Sequence, residues 1–332
     1  MRVLVLGGTR FVGRHLVGEA LSRGDEVTAL TRGRSGPLPD GVRALRADRR
    51  DLAAVTEAIG GQQWDAVLDT WSGEPRVVAE SARLLAGRVD YYGYVSSRSV
   101  YAWPIPEAAD ERAPLVDADP ESTDTVGYAA AKRGAELAVT AAYGQRCLLA
   151  RAGLILGPYE DVGRLPWWLH RIARGGRVVA PGPRDRALQY VDARDLAAFM
   201  RRAAERRIAG AFNVVSEPGH TTIGELLECC VRLTGSDAEL VWVSPGRLAA
   251  AGVTGWTDLP IWVPPTGDLA GLHSGDVSAA LAAGLTCRPI AETVADTWAW
   301  LHDADRTGGG PAGGRAGELG IDAGTERRLL RG

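Results

Sequence analysis

The feature that most constrains the fold is an alternation of short apolar runs with amphipathic stretches along the first half of the chain. The runs RVLVLGG, DEVTALT, VRALRAD, WDAVLDT, YYGYVSS and RCLLARAG are brief, rich in Val and Leu, and bounded by glycine or charge, as β-strands are. Stretches between them, such as VGRHLVGEALSRG and RVVAESARLLAGR, repeat apolar residues every three or four positions, which is typical of helices. The alternation predicts a doubly wound α/β domain, in which helices cover both faces of a parallel sheet.

A glycine-rich loop follows the first apolar run and precedes a helical stretch. Its residues are Gly7, Gly8, Thr9, Arg10, Phe11, Val12 and Gly13. Glycines let the backbone approach a pyrophosphate closely, and the N–H groups at a helix N-terminus point toward an anion. The loop therefore predicts a dinucleotide site in a Rossmann-type sheet, although Arg10 stands where the usual G-x-x-G-x-x-G motif has its middle glycine.

The end of the second run indicates which dinucleotide is bound. Sheets that bind NAD usually offer an acidic residue there to the ribose hydroxyls, whereas this chain has Arg32 and Arg34. Arg32, with help from Arg10 or Arg34, can hold a 2′-phosphate, because guanidinium binds phosphate through two parallel hydrogen bonds. We therefore favour NADP(H) over NAD(H) as the cofactor.

Further side chains complete the predicted cofactor site. Asp48 and Arg49 follow the third run, where a side chain can hydrogen-bond the adenine edge. The predicted cofactor-binding residues are Gly7, Gly8, Thr9, Arg10, Phe11, Val12, Gly13, Arg32, Asp48, Arg49, Thr70 and Lys132.

The domain boundaries follow from where the alternation weakens, after about residue 151. We predict an NAD(P)-binding domain over residues 1–155, with sheet elements returning near 187–215. Residues 156–303 are expected to form mainly a smaller substrate-binding lobe. Residues 304–332, which contain the run DRTGGGPAGGRAG, are expected to form a flexible Gly-rich tail.

Composition argues against several other classes of protein. The net charge of −3 offers no overall attraction to nucleic acid or to an anionic membrane. The sequence has no apolar run of about 18 residues, so no membrane span is expected, and its first residues suggest a buried strand rather than a secretory signal. The histidines and cysteines lack ligand spacing, so no metal is expected. We predict a cytoplasmic protein with a small-molecule substrate.

Lysine occurs once in the whole chain. Of the 38 basic residues, all but Lys132 are arginines. Lys132 lies four positions after Tyr128 in the helical stretch AAAKRGAELAVTAAY, which places the phenol and the ammonium on one helix face. A phenol, with an ordinary pKa of about 10, is a weak base at neutral pH, and a nearby cation lowers that pKa. Guanidinium is bulkier and planar, so arginine cannot replace this lysine conservatively.

A serine completes the predicted catalytic group. Ser97 ends the fifth run and is expected at the same crevice as Tyr128 and Lys132, because ligands bind beyond the carboxyl ends of such strands.

These motifs resemble those of the extended short-chain dehydrogenases/reductases, of the NAD-dependent epimerase/dehydratase type, over roughly residues 1–303. Gly7, Gly8 and Gly13 match the family's loop glycines, Ser97 its Ser/Thr, and Tyr128 and Lys132 its Tyr-x-x-x-Lys pair. Segments 151–158, 189–196 and 210–214 resemble later elements of the family. The sequence GGTRFVG resembles a subgroup that includes uncharacterised reductases and chloroplast stem-loop RNA-binding proteins.

The resemblance implies a mechanism. Tyr128 would act as general acid/base on a carbinol or carbonyl, Ser97 would hydrogen-bond the same oxygen, and Lys132 would tune the tyrosine and hold the cofactor ribose during hydride transfer. Sugar dehydratases of the family carry Thr-Asp-Glu where this chain has Ser97-Arg98-Ser99, so we do not expect a dehydratase.

Three functions follow from these features, in order of preference. The first is NADP(H)-dependent reduction of a ketone or oxidation of a secondary alcohol. The alternative is a nucleotide-sugar epimerase that retains NAD. A non-catalytic RNA-binding or redox-sensing role is less favoured, because the Ser/Tyr/Lys group is intact and the net charge is negative.

Aromatic and cationic side chains are the expected substrate contacts. The predicted substrate-binding residues are Trp71, Arg98, Trp103, Trp168 and Arg186. They leave a sugar nucleotide, a secondary-metabolite ketone and a small hydroxy compound open as substrates. Helices near 76–87 and 128–143 resemble those through which the family dimerises, so a homodimer is expected.

Overall fold

The structure is a computed structural model that describes residues 1–123, 127–307 and 319–331. The strands are β1 (Arg2–Leu6), β2 (Glu26–Thr31), β3 (Arg43–Arg46), β4 (Trp64–Asp69), β5 (Val89–Ser97), β6 (Cys147–Ala152), β7 (Leu154–Leu156), β8 (Arg177–Pro181), β9 (Ala187–Leu188), β10 (Tyr190–Asp192), β11 (Gly210–Val214), β12 (Thr221–Thr222) and β13 (Glu239–Val243). The helices are α1 (Phe11–Ser22), α2 (Leu52–Ile59), α3 (Pro75–Leu85), α4 (Tyr128–Tyr143), α5 (Arg164–Ala173), α6 (Ala193–Arg206), α7 (Ile223–Thr234), α8 (Pro245–Ala250), α9 (Ser278–Ala282), α10 (Ile290–Thr307) and α11 (Ala323–Arg331). Short 3₁₀ turns occupy Arg98–Val100 and Ala270–His273.

Seven parallel strands form the central sheet, in the order β11-β6-β5-β4-β1-β2-β3. The chain runs outward from β1 to β3, then returns to β4 on the other side of β1. In such a sheet the crevice beyond the ends of β1 and β4 is the expected ligand site. The predicted doubly wound α/β fold is confirmed.

Both faces of the sheet are buried, as the continuous apolar runs require. Along β1, Val3 and Val5 belong to the core under α1 and α6, while Leu4 and Leu6 belong to the core under α3 and α4. Burying side chains of this size contributes about 1.5–3 kcal/mol each. The strands are therefore fixed from both sides, and the loops at their carboxyl ends are held on a rigid base.

The second half of the chain contributes to both parts of the molecule. Strand β11 pairs with β6 in the central sheet, and α6 packs on α1. The smaller lobe has its own core, in which α5, α7, α10 and the parallel pair β8–β13 surround the buried indoles of Trp168 and Trp262. Helix α7 begins with a capping box between Thr222 and Glu225, which satisfies N–H groups of its first turn.

The predicted flexible tail over 304–332 includes a described segment, residues 319–331, that is packed rather than flexible. Helix α10 continues to Thr307, and α11 packs on the lobe with Leu329 only 5% exposed. The Glu326 carboxylate accepts hydrogen bonds from Arg171 Nε at 2.9 Å and from the Val179 N–H. Apolar contact and charge pairing thus hold α11 in place, while most of the Gly-rich run 305–317 lies outside the described residues.

Membrane insertion finds no support in the helices. Within the described ranges, none combines the length and the apolar character that a membrane span needs.

Candidate active site

A cleft of about 390 Å³ lies at the carboxyl ends of β1, β2 and β4. Seven of the predicted cofactor residues line it: Gly7, Gly8, Thr9, Arg10, Arg32, Arg49 and Thr70. Phe11, Val12, Gly13, Asp48 and Lys132 are not among its lining residues. Sequence reasoning missed Ser35, Arg50, Ser72 and Gly73, which also line it. Each of them lies in a loop that leaves a strand end of the sheet, and that position is the signal that would have found them.

The glycine loop is packed too tightly for side chains. Gly7 has φ of +113°, and a Cβ there would lie 2.5 Å from Thr70 Oγ1. A Cβ on Gly13 would lie 2.6 Å from the backbone nitrogen of Gly8. Helix α1 therefore begins directly behind the loop, and its N-cap residue Arg10 makes no side-chain capping hydrogen bond within the described structure. This arrangement suits a pyrophosphate, which can accept N–H bonds from a helix N-terminus.

Three of the five arginines that line the cleft are already paired with carboxylates. Arg10 binds Asp161 at 2.9 Å, Arg50 binds Glu74 at 3.0 Å, and Arg49 binds Asp69 through both carboxylate oxygens at 2.5 and 2.9 Å. Arg49 also donates to Ser81 Oγ and is 6% exposed, so its guanidinium is engaged within the protein rather than directed at an adenine.

Arg32 and Arg34 are the remaining two arginines of the cleft. Both are exposed, and neither forms an ion pair with any residue that the structure describes. Among the described residues that line the cleft, none is acidic. The end of β2 thus presents two cations and no acceptor for ribose hydroxyls.

Lys132 lies almost fully buried in the first turns of α4, at 2% exposure. Its Nζ donates to the Val95 carbonyl oxygen at 2.6 Å and to the Trp71 carbonyl oxygen at 2.7 Å. Burial lowers the pKa of Lys132 to about 7, against the opposing attraction of the Asp69 and Glu136 carboxylates. The ammonium is therefore held between the ends of β4 and β5, where its charge is sensitive to neighbouring groups.

Tyr128 and Ser97 lie on the elements that hold this lysine. Tyr128 is the first residue of α4, one turn before Lys132, and is 52% exposed. Ser97 ends β5, two residues after the carbonyl that Lys132 binds, and its Oγ accepts the Ser99 N–H at 3.1 Å. The fold thus brings the predicted catalytic elements to one edge of the sheet, with Tyr128 about half exposed and the ammonium buried.

A buried polar network lies beside this group, and sequence reasoning missed it. Glu136 is fully buried and accepts hydrogen bonds from Ser96 Oγ at 2.7 Å and Arg151 Nε at 2.9 Å. It follows Lys132 by four positions on α4, so the helix spacing was the available signal. These bonds connect α4 to β5 and β6, and so fix the helix that carries Tyr128 and Lys132.

The predicted substrate residues are dispersed. Trp71 lines the cofactor cleft, and Trp103 is half-exposed in the segment after β5. Arg98 donates to the Leu272 carbonyl oxygen at 2.7 Å, and Arg186 donates to that of Ala270 at 2.9 Å, so both contact the 3₁₀ turn of residues 270–273. Burial lowers the pKa of both arginines.

Trp168 corrects the prediction that it contacts substrate. It is fully buried in the core of the lobe, and its indole N–H donates to the Pro260 carbonyl oxygen at 2.7 Å. Because the residue is 0% exposed within this core, its ring does not reach a surface where a ligand could bind.

Side chains suited to metal binding do not converge in the described parts of the chain. No group of three or more His, Cys, Asp or Glu residues there could hold an ion.

Comparison with characterised sequences gives relatives of two kinds. The chain is 23% identical over 260 residues to the chloroplast stem-loop binding protein of 41 kDa b of Arabidopsis thaliana, covering 74% of this chain and 66% of the relative. It is 33% identical over 187 residues to a 3-diazoavenalumate denitrifying reductase of Streptomyces sp, covering 49% of this chain and 59% of the relative. The matches therefore span less than two thirds of each relative's length.

Comparison with solved structures supports the fold. The structure of the Bordetella bronchiseptica enzyme WbmH in complex with NAD⁺ matches with a TM-score of 0.69 at 20% identity, covering 91% of this chain and 98% of that one. At this identity the match establishes shared architecture.

The family assignment rests on a sequence model that covers most of the chain. Residues 3–215, which contain the glycine loop, the cleft and the Ser97, Tyr128 and Lys132 positions, match the model of the NAD dependent epimerase/dehydratase family. This chain belongs to the NAD-dependent epimerase/dehydratase family, within the extended short-chain dehydrogenases/reductases, whose members are NAD(P)-dependent enzymes.

Proposed function

We propose that the protein is an NADP(H)-dependent oxidoreductase that reduces a ketone or oxidises a secondary alcohol of a small-molecule substrate. The observation that carries this proposal is the placement of Lys132, whose ammonium binds the Val95 carbonyl beside Ser97 and lies one helical turn from Tyr128. A bound nicotinamide would supply or accept the hydride. The 33% identity to a protein named as a denitrifying reductase supports a reductase in general rather than a ketone reductase in particular.

The proposed roles follow from the environment of each side chain. Tyr128, at the exposed start of α4, donates a proton to the carbonyl oxygen during reduction and accepts it during oxidation. Ser97, at the end of β5, hydrogen-bonds the same oxygen and so orients it. Lys132 stabilises the phenolate form of Tyr128 by its charge. Trp103 and Arg186 remain the proposed substrate contacts of the lobe side, whereas Arg98, at 2% exposure, is enclosed in the protein and is no longer proposed as one.

The cofactor preference for NADP(H) rests on Arg32 and Arg34. These are the two cleft arginines without a carboxylate partner among the described residues. No acidic residue is among the described residues that line the cleft, so no carboxylate there is placed to accept hydrogen bonds from the ribose hydroxyls. A 2′-phosphate would give each guanidinium a charged acceptor, and such hydrogen bonds contribute about 1.5–3 kcal/mol each.

Titration of the purified protein with NADPH and NADH, followed by nicotinamide fluorescence, tests the cofactor claim. Arg32→Ser and Arg34→Ser should each weaken NADPH binding by about 10- to 100-fold and leave NADH binding nearly unchanged. Arg43→Ser, an exposed β3 arginine outside the cleft lining, is the control. Equal affinity of wild type and both variants for NADPH would contradict the proposed 2′-phosphate site.

A nucleotide-sugar epimerase with retained NAD is the second candidate. The family's name and the NAD⁺ complex of the similar Bordetella structure favour it. An epimerase keeps its nicotinamide through the catalytic cycle, whereas a reductase exchanges it at each turnover. A nicotinamide that co-purifies and resists exchange with added NADPH would therefore select the epimerase.

Several finer assignments accompany this proposal. We place the chain in the subgroup with a GGTRFVG loop, which the match to the Arabidopsis thaliana protein supports. We propose a cytoplasmic location, since all four cysteines are free thiols. We also propose a homodimer through α3 and α4, because these helices lie side by side on one face of the sheet, as a four-helix interface requires.

A further inference from the structure

We infer that Tyr94 is a positioning residue for Lys132 and acts through its ring face and through the backbone carbonyl of Trp71. This inference rests on the proposed function, in which Lys132 serves the catalytic tyrosine. Neither the family motifs nor the predicted site residues include Tyr94.

Tyr94 touches the lysine's surroundings in two ways. Its hydroxyl donates to the Trp71 carbonyl oxygen at 2.9 Å, and Lys132 Nζ donates to the same oxygen at 2.7 Å. Lys132 Nζ also lies 4.7 Å from the centroid of the Tyr94 ring. An aromatic ring attracts a cation over its face, and the attraction is strongest where water is excluded. Both groups are buried, with Tyr94 at 1% and Lys132 at 2% exposure.

These contacts surround the Lys132 ammonium on most sides and use two of its N–H donors. An ammonium has three N–H donors, and the carbonyl oxygens of Trp71 and Val95 accept two of them. The ring of Tyr94 closes a further side. The third N–H is thereby left for a cofactor hydroxyl or for the phenol of Tyr128, and its direction depends on how firmly the other contacts are held.

The Trp71 carbonyl also connects the contacts of Lys132 to the cofactor cleft. The indole of Trp71 lines the cleft, and its N–H donates to the Glu74 carbonyl oxygen at 3.1 Å. The same residue's carbonyl accepts from both Tyr94 and Lys132. The Tyr94 hydroxyl therefore holds the Trp71 carbonyl oxygen in place. This oxygen accepts a hydrogen bond from the Lys132 ammonium and belongs to a residue of the cleft wall.

A purely packing role for Tyr94 makes a different prediction. Tyr94 belongs to the core between the sheet and α4. If its ring only filled space there, another apolar side chain could replace it with a loss of stability and no other effect. A positioning residue must in addition change the protonation of Lys132 and the turnover that depends on it.

The single lysine makes this measurable in the ligand-free protein. Protein grown with ¹³C-labelled lysine gives one side-chain Cε signal, that of Lys132, whose shift reports its protonation as pH is varied. Tyr94→Leu should lower the pKa of Lys132 by about one unit, because the cation loses the ring face. Tyr94→Phe keeps the ring and should leave that pKa within about half a unit of the wild-type value.

Tyr143→Phe is the matched control. Tyr143 is a buried tyrosine at the far end of α4, and its hydroxyl has no hydrogen-bond partner among the described residues, so its removal should leave the titration unchanged. Thermal unfolding of all variants identifies any that fail to fold. If Tyr94→Leu folds and Lys132 titrates as in the wild type, Tyr94 is a packing residue and the inference is overturned.

Turnover separates the ring from the hydroxyl. With NADPH and a reducible ketone, Tyr94→Phe should lower kcat about tenfold and change the KM for ketone little, since the loosened carbonyl affects the ammonium rather than substrate contacts. Wild-type kcat in Tyr94→Phe would overturn the role of the hydroxyl. Failure of the wild type to bind NADPH would instead reject the proposed function, and the titration of the ligand-free protein would still decide the positioning role.

Discussion

At the scale of the residue, the chain retains an ammonium where burial opposes its charge. Lys132 is the one lysine among 38 basic residues, and its environment lowers its pKa to about 7. The surrounding acceptors are two carbonyl oxygens and one ring face, which suit a compact ammonium better than a planar guanidinium. The buried charge of this side chain therefore lowers the free energy of unfolding, and other interactions in the fold must offset that loss.

The cost should appear as a pH dependence of stability. The pKa of Lys132 is depressed in the folded state, so between about pH 7 and pH 10 the unfolded chain binds a proton that the folded chain does not. Stability then rises with pH, and below pH 7 the penalty is fully present. Relative to Lys132→Met, wild type should gain about 2 kcal/mol in free energy of unfolding between pH 7 and pH 9. Urea denaturation at both pH values measures this, and a constant difference would contradict it.

Replacing the ammonium of Lys132 by a guanidinium tests directly whether the site requires a cation of that shape and size. Lys132→Arg keeps the positive charge but places a larger planar group among the Trp71 and Val95 carbonyls, in a site with 2% exposure. We expect kcat to fall at least about 100-fold, the scale of a lost acid–base contribution. Arg133→Lys, on the same helix but half-buried, should retain activity. A fully active Lys132→Arg variant would refute the requirement for an ammonium.

At the scale of the element, α11 is a structural part of the lobe. Its Leu329 side chain is 5% exposed, and its Glu326 pairs with Arg171 of α5. Leu329→Ala should lower the free energy of unfolding by about 2–3 kcal/mol, because truncation removes apolar contact and leaves a cavity. Arg331→Ala, an exposed residue of the same helix, should change it by less than about 0.5 kcal/mol. Denaturant midpoints of the two variants decide, and equal midpoints would show that α11 is not packed.

The sequence predicts elements well where periodicity is long and fails where single contacts decide. The six apolar runs form β1 to β6. The helix that was expected near residues 128–143 is α4, Tyr128–Tyr143. Helix α2, which Asp51 caps by accepting the Ala54 N–H, lies between the third and fourth runs, where helical stretches were expected but none was named. Helix α11 was read as tail because its contacts, Glu326 with Arg171 among them, come from residues distant in the chain.

The site shows the same limit. Strand-end positions predicted one shared edge for Gly7, Arg32 and Ser97, and these residues lie at the ends of β1, β2 and β5. The pairing of Arg49 with Asp69 and the full burial of Trp168 depend on tertiary packing, which composition and spacing do not encode.

At the scale of the whole molecule, the proposed dimer is the simplest assembly to test. The chain has a mass of 35.2 kDa, so light scattering at micromolar concentration should give about twice that mass. The expectation depends on α3 and α4, which pack against each other on one face of the sheet. A mass near 35 kDa, unchanged as the protein concentration is raised, would rule the dimer out.

The return of the chain into the central sheet has a consequence for how such a protein can change over evolution. Because β11 pairs with β6 and α6 covers α1, the segment that completes the sheet is encoded between parts of the lobe, after α5 and β8 and before α7 and β13. Neither part can be inherited, fused or exchanged as a continuous stretch of gene. New specificities must instead arise from insertions and substitutions between fixed sheet segments, such as the stretch between β7 and β10. Recombination at a single crossover point near residue 155 would separate β6 from its native partner β11, and chimaeras whose β11 does not fit should be eliminated at the folding step.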